Sequence, residues 1–238
     1  MRVAIMQPYL FPYLGYLQLA SAVDRFVFYD DVAFIKGGWI NRNRILVNGA
    51  PHWLTVPLHG LSPHTAIAET AVAADRRWLA KASATLAMAY AKAPYAGPVT
   101  DLVLGVLDRA QGGSIADAAI DSVVSVLDYL DLPLAHERSS TAFAETRGTG
   151  RTERVVEIAR RCGATRYVNA IGGTDLYEPA DFSAAGIELT FLESAPPAYP
   201  QHGTTAFVPA LSIIDVLMNN SVEQVRAQLG SYRMVRPA

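Results

Sequence analysis

The sequence predicts an α/β fold with a mainly parallel central sheet and a helical insertion in the middle of the chain. Three observations support this prediction. A short apolar strand, a helix and a second strand follow one another within residues 3–29, a long helical stretch comes next, and an α/β pattern resumes after residue 150. Because a strand, a helix and a strand in so short a span form a βαβ unit, the first two strands are expected to be parallel neighbours.

The elements of the first half follow from hydrophobic periodicity. Runs of apolar and β-branched residues predict strands, and apolar residues at helical spacing predict helices. The predicted strands are 3–6 and 25–29, and the predicted helices are 15–23, 75–92, 98–110 and 114–130. Asn48-Gly49 lies between two apolar stretches and predicts a hairpin. The helical insertion covers about 75–132.

The second half repeats the alternation of helices and strands after a polar connection. Residues 139–152 are polar and contain glycine, which predicts a flexible loop. A helix is predicted at 152–161, strands at 166–170 and 187–192, and a short helix at 213–219. The resumed pattern extends the same sheet, so a single domain with one insertion is expected.

Composition excludes several classes of protein. The 20 basic and 22 acidic residues give a net charge of −2, whereas nucleic-acid binders normally carry a basic excess, so no DNA partner is expected. The single cysteine, Cys162, excludes a disulfide framework within the chain. None of the five histidines stands in a zinc-ligand spacing, so no metal site is predicted. Without a signal peptide or a long apolar run, a cytoplasmic protein with no membrane span is expected.

The densest group of candidate binding residues is the loop after the first strand, QPYLFPYLGY. It carries Gln7, Tyr9, Tyr13 and Tyr16. Aromatic rings with polar tips suit the binding of a sugar or a base, by stacking and by hydrogen bonds. The structural alternative is that these rings only cover the end of the sheet.

A second group follows the second strand, at the sheet edge where ligands bind in open α/β folds. Asp30 and Asp31 are candidate catalytic residues, because adjacent carboxylates can bind a cation, orient a hydroxyl or act as a general base. Since side chains alternate along a strand, only one of them is expected to face a given pocket. The basic and amide side chains that follow in the sequence suit the binding of a substrate that bears a phosphate or carboxylate. They add Lys36 and Arg42 as catalytic candidates, and Trp39, Asn41 and Asn43 as substrate-binding candidates. The alternative is a surface salt-bridge patch beside an Asn-rich turn.

Weaker signals come from the second half of the chain. Asn169 and Tyr177 flank a Gly172-Gly173 turn after a strand, and such a turn can present N–H groups to an anion. An ordinary turn explains the same residues. Gln201 and Ser212 complete the candidate substrate-binding residues, although Ser212 with Asp215 also fits the cap of a helix.

These stretches together resemble the WbqC-like family. The matching pieces are MQPYLFPYLGYLQLASAVDRFVFYDDVAF, KGGWINRNRI, WLTVPL, ATRYVNAIGGTDLY, GIELTF, YPQ and LSIIDVLMNN. They span nearly the whole chain in order, which implies one WbqC-like domain over residues 1–238. A more distant similarity concerns the YLGY turn, Tyr13 to Tyr16. It lies where nucleotidylyltransferases and related HUP-like ligases carry HxGH, and so hints at that fold.

The family resemblance implies a biosynthetic transferase of surface-polysaccharide or secondary metabolism. It would move an acyl or aminoacyl group, such as glycyl, to the amine of an amino sugar or small metabolite, and its partner would be a small molecule such as a nucleotide-linked sugar. On this hypothesis Tyr13 and Asp31 line one cleft. Two alternatives stay open: an ATP-dependent adenylyl-transfer or amide-ligase enzyme, and a non-catalytic sugar-binding or scaffold protein. ATP and a divalent cation both stay open as cofactors, and the sequence leaves the oligomeric state unknown.

Overall fold

The structure, a computed structural model, describes residues 1–62, 64–204 and 206–237. Its strands are β1 (Arg2–Met6), β2 (Arg25–Phe28), β3 (Arg42–Val47), β4 (Ala50–Thr55), β5 (Leu58–His59), β6 (Ala71–Val72), β7 (His136–Arg138), β8 (Arg166–Ala170), β9 (Glu188–Ser194) and β10 (Tyr232–Val235). Its helices are α1 (Leu14–Ala22), α2 (Arg77–Tyr90), α3 (Ala96–Arg109), α4 (Ile115–Tyr129), α5 (Ser139–Ala142), α6 (Arg151–Arg161), α7 (Pro179–Ser183), α8 (Ile213–Asn219) and α9 (Val222–Leu229). None of these helices is both long enough and apolar enough to cross a membrane.

The central sheet has six strands in the order β10-β9-β8-β1-β2-β7. Neighbouring strands pair in parallel, except that β10 runs antiparallel to β9. The predicted α/β class with a mainly parallel sheet is therefore confirmed. The chain builds the sheet outward from β1 in one direction through β2 and β7, and in the other through β8 and β9. Such a reversal of strand order opens a crevice at the carboxyl ends of the two central strands, here β1 and β8.

Helices cover both faces of this sheet, as a parallel sheet requires. Successive strand residues point to opposite faces. Val3 and Ile5 pack in an apolar cluster with residues of α6 and α7. Ala4, between them, packs in a larger cluster with residues of α1, α2 to α4, α8 and α9. Both faces of β1 are thus buried, which explains its continuous apolar sequence.

The hairpin predicted from Asn48-Gly49 is present as β3 and β4. Both turn residues have positive φ angles, 49° and 76°, as the tight turn that matches strand twist requires. A Cβ at Gly49 would lie 2.7 Å from the carbonyl oxygen of Gly203, so glycine also permits close approach of another loop. The three long helices predicted between 75 and 132 are present as α2, α3 and α4.

The prediction of a flexible loop at residues 139–152 is wrong for the first part of this segment. That part forms α5 and a 3-10 turn at Ala144–Thr146. The reason is that its hydroxyl groups, and the arginines around it, bind two carboxylates at the end of β2. Asp30, whose side chain is fully buried, accepts hydrogen bonds from Arg138 Nε at 2.7 Å, Ser140 N at 2.9 Å and Ser140 Oγ at 2.8 Å.

Replacing Asp30 by alanine is expected to lower the free energy of unfolding by about 3 kcal/mol or more, because Arg138 and the two donors of Ser140 lose their acceptor. Urea denaturation followed by circular dichroism measures this change. Glu137→Ala is the matched control, since Glu137 is next to Arg138 on β7 and its ion pair with Arg25 is partly exposed. It should cost below about 1 kcal/mol. Equal costs for the two substitutions would contradict a structural role for Asp30.

Candidate functional site

A cavity of about 840 Å³ lies at the carboxyl ends of β1 and β8, within the size range of small-molecule sites. Its lining comes from strand ends, from the loops that follow β1, β2 and β8, and from the start of α6. The lining residues are Ile5, Met6, Gln7, Tyr9, Tyr13, Gly15, Tyr29, Val32, Ala33, Ile35, Thr149, Arg151, Val155, Asn169, Ala170, Ile171, Gly172, Gly173, Leu176, Tyr177, Leu192 and Ser194. The structure thus brings together seven sequence candidates: Gln7, Tyr9, Tyr13, Asn169, Gly172, Gly173 and Tyr177.

The loop after β1 is held in place by three other candidates, which do not line the cavity. Tyr16 Oη donates a hydrogen bond to the Gln7 carbonyl at 2.9 Å. Asn43 Nδ2 and Ser212 Oγ both donate to the carbonyl of Phe11, at 2.9 and 2.7 Å. Phe11 needs this support, because its φ of 39° is unfavourable for a bulky residue. Tyr16, Asn43 and Ser212 therefore position the loop that presents Tyr9 and Tyr13.

The expectation that Tyr13 and Asp31 line one cleft is not met. Neither Asp30 nor Asp31 is among the cavity-lining residues. Asp31 accepts hydrogen bonds from Ser139 Oγ at 2.5 Å, Arg154 Nη2 at 2.6 Å and Arg147 Nε at 2.8 Å. Burial by itself raises the pKa of Asp31, but these hydrogen bonds outweigh it, and the pKa lies below its usual value. An ionised carboxylate bound in this way is a poor proton acceptor.

Asp31 is linked to the cavity indirectly, because its partner Arg154 contacts a residue of the cavity lining. The guanidinium of Arg154 lies 4.9 Å from the centre of the Tyr29 ring, and its Nη1 donates to Tyr29 Oη at 3.3 Å. Tyr29 lines the cavity. Asp31 thus orients Tyr29, a cavity residue, from outside the cavity.

The remaining candidates of the first half lie on the β3–β4 hairpin and the turn before it, outside the cavity lining. Lys36 is exposed. Arg42 stacks on Trp53, 4.1 Å from the ring centre, and Trp39 lies 5.4 Å from the same ring. Asn41 Nδ2 donates to the Val56 carbonyl at 2.8 Å. The alternative of a surface salt-bridge patch is thus met only in its position outside the cavity, because Arg42 stacks on a tryptophan ring and, among the described residues, neither Lys36 nor Arg42 forms a salt bridge.

The glycine turn after β8 lies directly on the cavity. A Cβ at Gly173 would come within 3.1 Å of Asn169 Nδ2, so glycine lets the turn lie against that side chain. Asn169 Oδ1 accepts a hydrogen bond from the Ala170 amide at 2.7 Å, which fixes the amide orientation. Tyr177 packs edge-on against Tyr167 at 5.7 Å between ring centres.

Gln201 belongs to a second buried polar cluster, away from the cavity lining. Its Nε2 donates to Asp215 Oδ1 at 3.2 Å. Tyr199 and Tyr90 donate to the two oxygens of the same carboxylate at 2.8 and 2.9 Å. Burial raises the pKa of Asp215, against the opposing effect of these hydrogen bonds. The cluster ties the proline-rich segment around Tyr199 to α8 and α2.

The polar groups of the cavity are nearly all neutral. Burial raises the pKa of Tyr9 and of Tyr13 above the usual phenol value, so both hydroxyls stay protonated at neutral pH. Among the described lining residues Arg151 is the one charged side chain. In residues 1–62, 64–204 and 206–237 no group of three or more His, Cys, Asp or Glu side chains could hold a metal ion.

The sequence candidates do not include four polar lining residues: Tyr29, Thr149, Arg151 and Ser194. Tyr29 and Ser194 lie at or just after the carboxyl ends of β2 and β9, so the strand-end rule that selected Asp30 and Asp31 could have included them. Arg151 begins α6. No sequence signal separates it from the other arginines of that region.

Comparison with known proteins gives a family and one relative. The WbqC-like protein family matches residues 7–227. A protein of Mycobacterium tuberculosis named "Uncharacterized protein Rv1507c" is 27% identical over 224 residues, which cover 93% of this chain and 95% of that protein. No solved structure matches the chain at a significant level.

The buried Asp215 cluster predicts a pH dependence of stability. Between about pH 3.9, the ordinary pKa of Asp, and the raised pKa of the folded state, the unfolded chain loses its proton while the folded chain keeps it. Rising pH therefore favours unfolding by about 1.4 kcal/mol for every pH unit between the two pKa values. The free energy of unfolding of the wild type, minus that of Asp215→Asn, should fall as pH rises through this window.

Urea denaturation between about pH 4 and pH 8 measures this difference. Asp31→Asn is the comparison variant, because the lowered pKa of Asp31 confines its pH effect to the region below the ordinary value. Its difference from the wild type should stay constant above about pH 5. A difference for Asp215→Asn that is flat or rises with pH would show that Asp215 is not held protonated by burial.

Proposed function

Because the chain belongs to the WbqC-like protein family, we propose that it is a biosynthetic transferase that moves an acyl or aminoacyl group to the amine of an amino sugar or a small metabolite of similar size. The observation that carries the proposal is the cavity at the carboxyl ends of β1 and β8, with mostly neutral polar groups inside and exposed apolar side chains around it. This position is the usual ligand site of an open α/β sheet.

The interior of the cavity suits a polyhydroxylated ligand. Among the described residues, the side chains of Gln7, Tyr9, Tyr13 and Ser194 have no hydrogen-bond partner within the protein, although all four line the cavity. Phenol rings provide apolar faces for a sugar ring, and their hydroxyls provide donors and acceptors for its hydroxyl groups. The described lining contains no carboxylate, and its one charged side chain is the cation Arg151, so it favours an amine in the unprotonated form that acyl transfer needs.

The edge of the cavity suits an acyl group. Three large apolar side chains from two different loops are exposed there: Ile35 is 54% exposed, Ile171 39% and Leu176 49%. A ligand that covered them would remove apolar surface from water, at about 25 cal/mol for each Å² buried. We assign the acyl group of the donor to this apolar lip, with the sugar beside Gln7 and Tyr13.

In the proposed reaction the amine nitrogen attacks the acyl carbonyl carbon, and a C–N bond forms. The bond from that carbon to the leaving group breaks, and the leaving group departs with the electron pair and takes up the proton released by the amine. The cavity contributes orientation of the two substrates. Gln7 and Tyr13 are neutral donors that can stabilise the negative charge developing on the carbonyl oxygen. Asp31 acts as a positioning residue, through Arg154 and Tyr29.

One observation favours ATP-dependent adenylyl transfer as a second candidate. Gly15, in the first turn of α1, lines the cavity, and a Cβ there would lie 2.9 Å from Tyr13 and 3.2 Å from Ser194. Glycine thus keeps the start of α1 open, at the position where α/β folds bind nucleotide phosphates. Release of pyrophosphate from ATP in the presence of a carboxylate would favour this candidate over simple acyl transfer.

Gln7→Leu and Tyr13→Phe are each expected to lower kcat/KM for acylation of an amine by about tenfold or more, because each removes a hydrogen bond to substrate or transition state. The assay incubates the protein with glucosamine and a panel of acyl and glycyl thioesters, and detects the acylated sugar by mass spectrometry. The same panel with ATP and free carboxylates tests the second candidate.

Tyr129→Phe is the control for Tyr13→Phe, because Tyr129 lies at the end of α4 outside the cavity lining. It should leave kcat/KM unchanged. Acylation that survives both cavity substitutions would contradict the site assignment. A sugar that stabilises the fold in thermal unfolding, yet is never converted with any donor, would favour a binding protein instead.

A further inference from the structure

We infer that the ligand of this cavity carries a phosphoryl oxyanion, and that Arg151 binds it. The inference rests on the proposed function, since it takes the cavity at the carboxyl ends of β1 and β8 as the substrate site. It narrows the substrate to a phosphorylated compound, such as a sugar phosphate or a nucleotide-linked sugar.

The first support is the contrast between Arg151 and its neighbours. Arg147 and Arg154 both bind Asp31. Arg160 and Arg161 both bind Glu157 on the outer side of α6. Within the described part of the chain, Arg151 has no carboxylate partner and donates no hydrogen bond, although it lies in the same segment. Its guanidinium is therefore available to a ligand, whereas the other four already have partners.

The second support is the charge balance of the cavity. The described lining contains no Asp, Glu, Lys or His, so the charge of Arg151 is uncompensated there. The nearby phenol of Tyr177 is neutral at physiological pH: burial raises its pKa, and the charge of Arg151 opposes that rise only in part. A partly enclosed site with one cation and several neutral donors favours an anion and disfavours a cation.

The third support is the position of Arg151 as the first residue of α6. Glu153 already binds the Gly150 amide at 3.3 Å, through Oε2. Gly150 has no side-chain oxygen to cap the first N–H groups of α6, so these N–H groups and the Arg151 side chain are the donors at this end of the helix. A guanidinium presents parallel N–H groups that match two oxygens of one phosphoryl group, and charge-assisted hydrogen bonds of this kind are about twice as strong as neutral ones.

The experiment compares two probes that differ only in the phosphate, glucosamine and glucosamine 1-phosphate, by calorimetric titration. Wild type should bind glucosamine 1-phosphate about tenfold or more tightly than glucosamine, and Arg151→Gln should lose most of that preference. Arg160→Gln is the matched control, because it removes the same charge from the same helix outside the cavity, and it should keep the preference. Salt raised from about 0.05 M to 0.3 M should weaken glucosamine 1-phosphate binding to wild type, with little effect on Arg151→Gln.

Thermal unfolding of the same variants with inorganic pyrophosphate or adenosine monophosphate shows whether the site recognises the phosphate alone or a nucleotide. A rise in Tm with pyrophosphate in wild type and Arg160→Gln, lost in Arg151→Gln, supports the inference whatever the organic part. A larger rise with adenosine monophosphate points to a nucleotide ligand.

The inference is overturned if wild type shows no preference for phosphorylated probes and no response to pyrophosphate, or if Arg151→Gln keeps either one. Glucosamine binding that Gln7→Leu abolishes, together with no preference of the wild type for glucosamine 1-phosphate, would leave the proposed function intact while removing the anion site. Pyrophosphate binding at Arg151 without any sugar binding would support the anion site while contradicting the proposed function.

Discussion

The carboxyl end of the sheet depends on the burial of two adjacent carboxylates, Asp30 and Asp31. Removing carboxylates from water costs several kcal/mol each, unless cations and hydrogen-bond donors surround them. The compensating groups are Arg138, Ser139, Ser140, Arg147 and Arg154. All of them belong to one polar segment far along the chain. The need to compensate the acids therefore holds that segment across the end of β2.

This constraint shapes the cavity. One side is the tyrosine-rich loop after β1, which Tyr16, Asn43 and Ser212 hold by hydrogen bonds. The other side includes Tyr29, which contacts Arg154, and Arg151, which lies between Arg147 and Arg154 in the sequence. The residues around the cavity are accordingly of two kinds: those that face it, and those that keep the facing residues in position.

Much of the fold was predictable from the sequence, because periodicity depends on local burial. The strands around Val3 and Phe26, the Asn48-Gly49 hairpin and the three middle helices all lie where apolar spacing and turn chemistry place them. The roles of Asp30 and Asp31 could not be predicted, since a carboxylate at a strand end has the same local sequence whether it faces a cleft or a buried arginine. Its partner Arg154 is 123 residues from Asp31. Arg151 was missed for the same reason: only the three-dimensional pairing of its neighbours distinguishes it.

We propose that the substrate binds in the cavity at the carboxyl ends of β1 and β8, and not on the surface around Trp39 and Trp53. A crystal structure of the protein with glucosamine 1-phosphate tests it most directly. The sugar should lie against Gln7 and Tyr13, with a phosphate oxygen within hydrogen-bond distance of the Arg151 guanidinium. Sugar density on the tryptophan surface, with the cavity containing only water, would contradict the account.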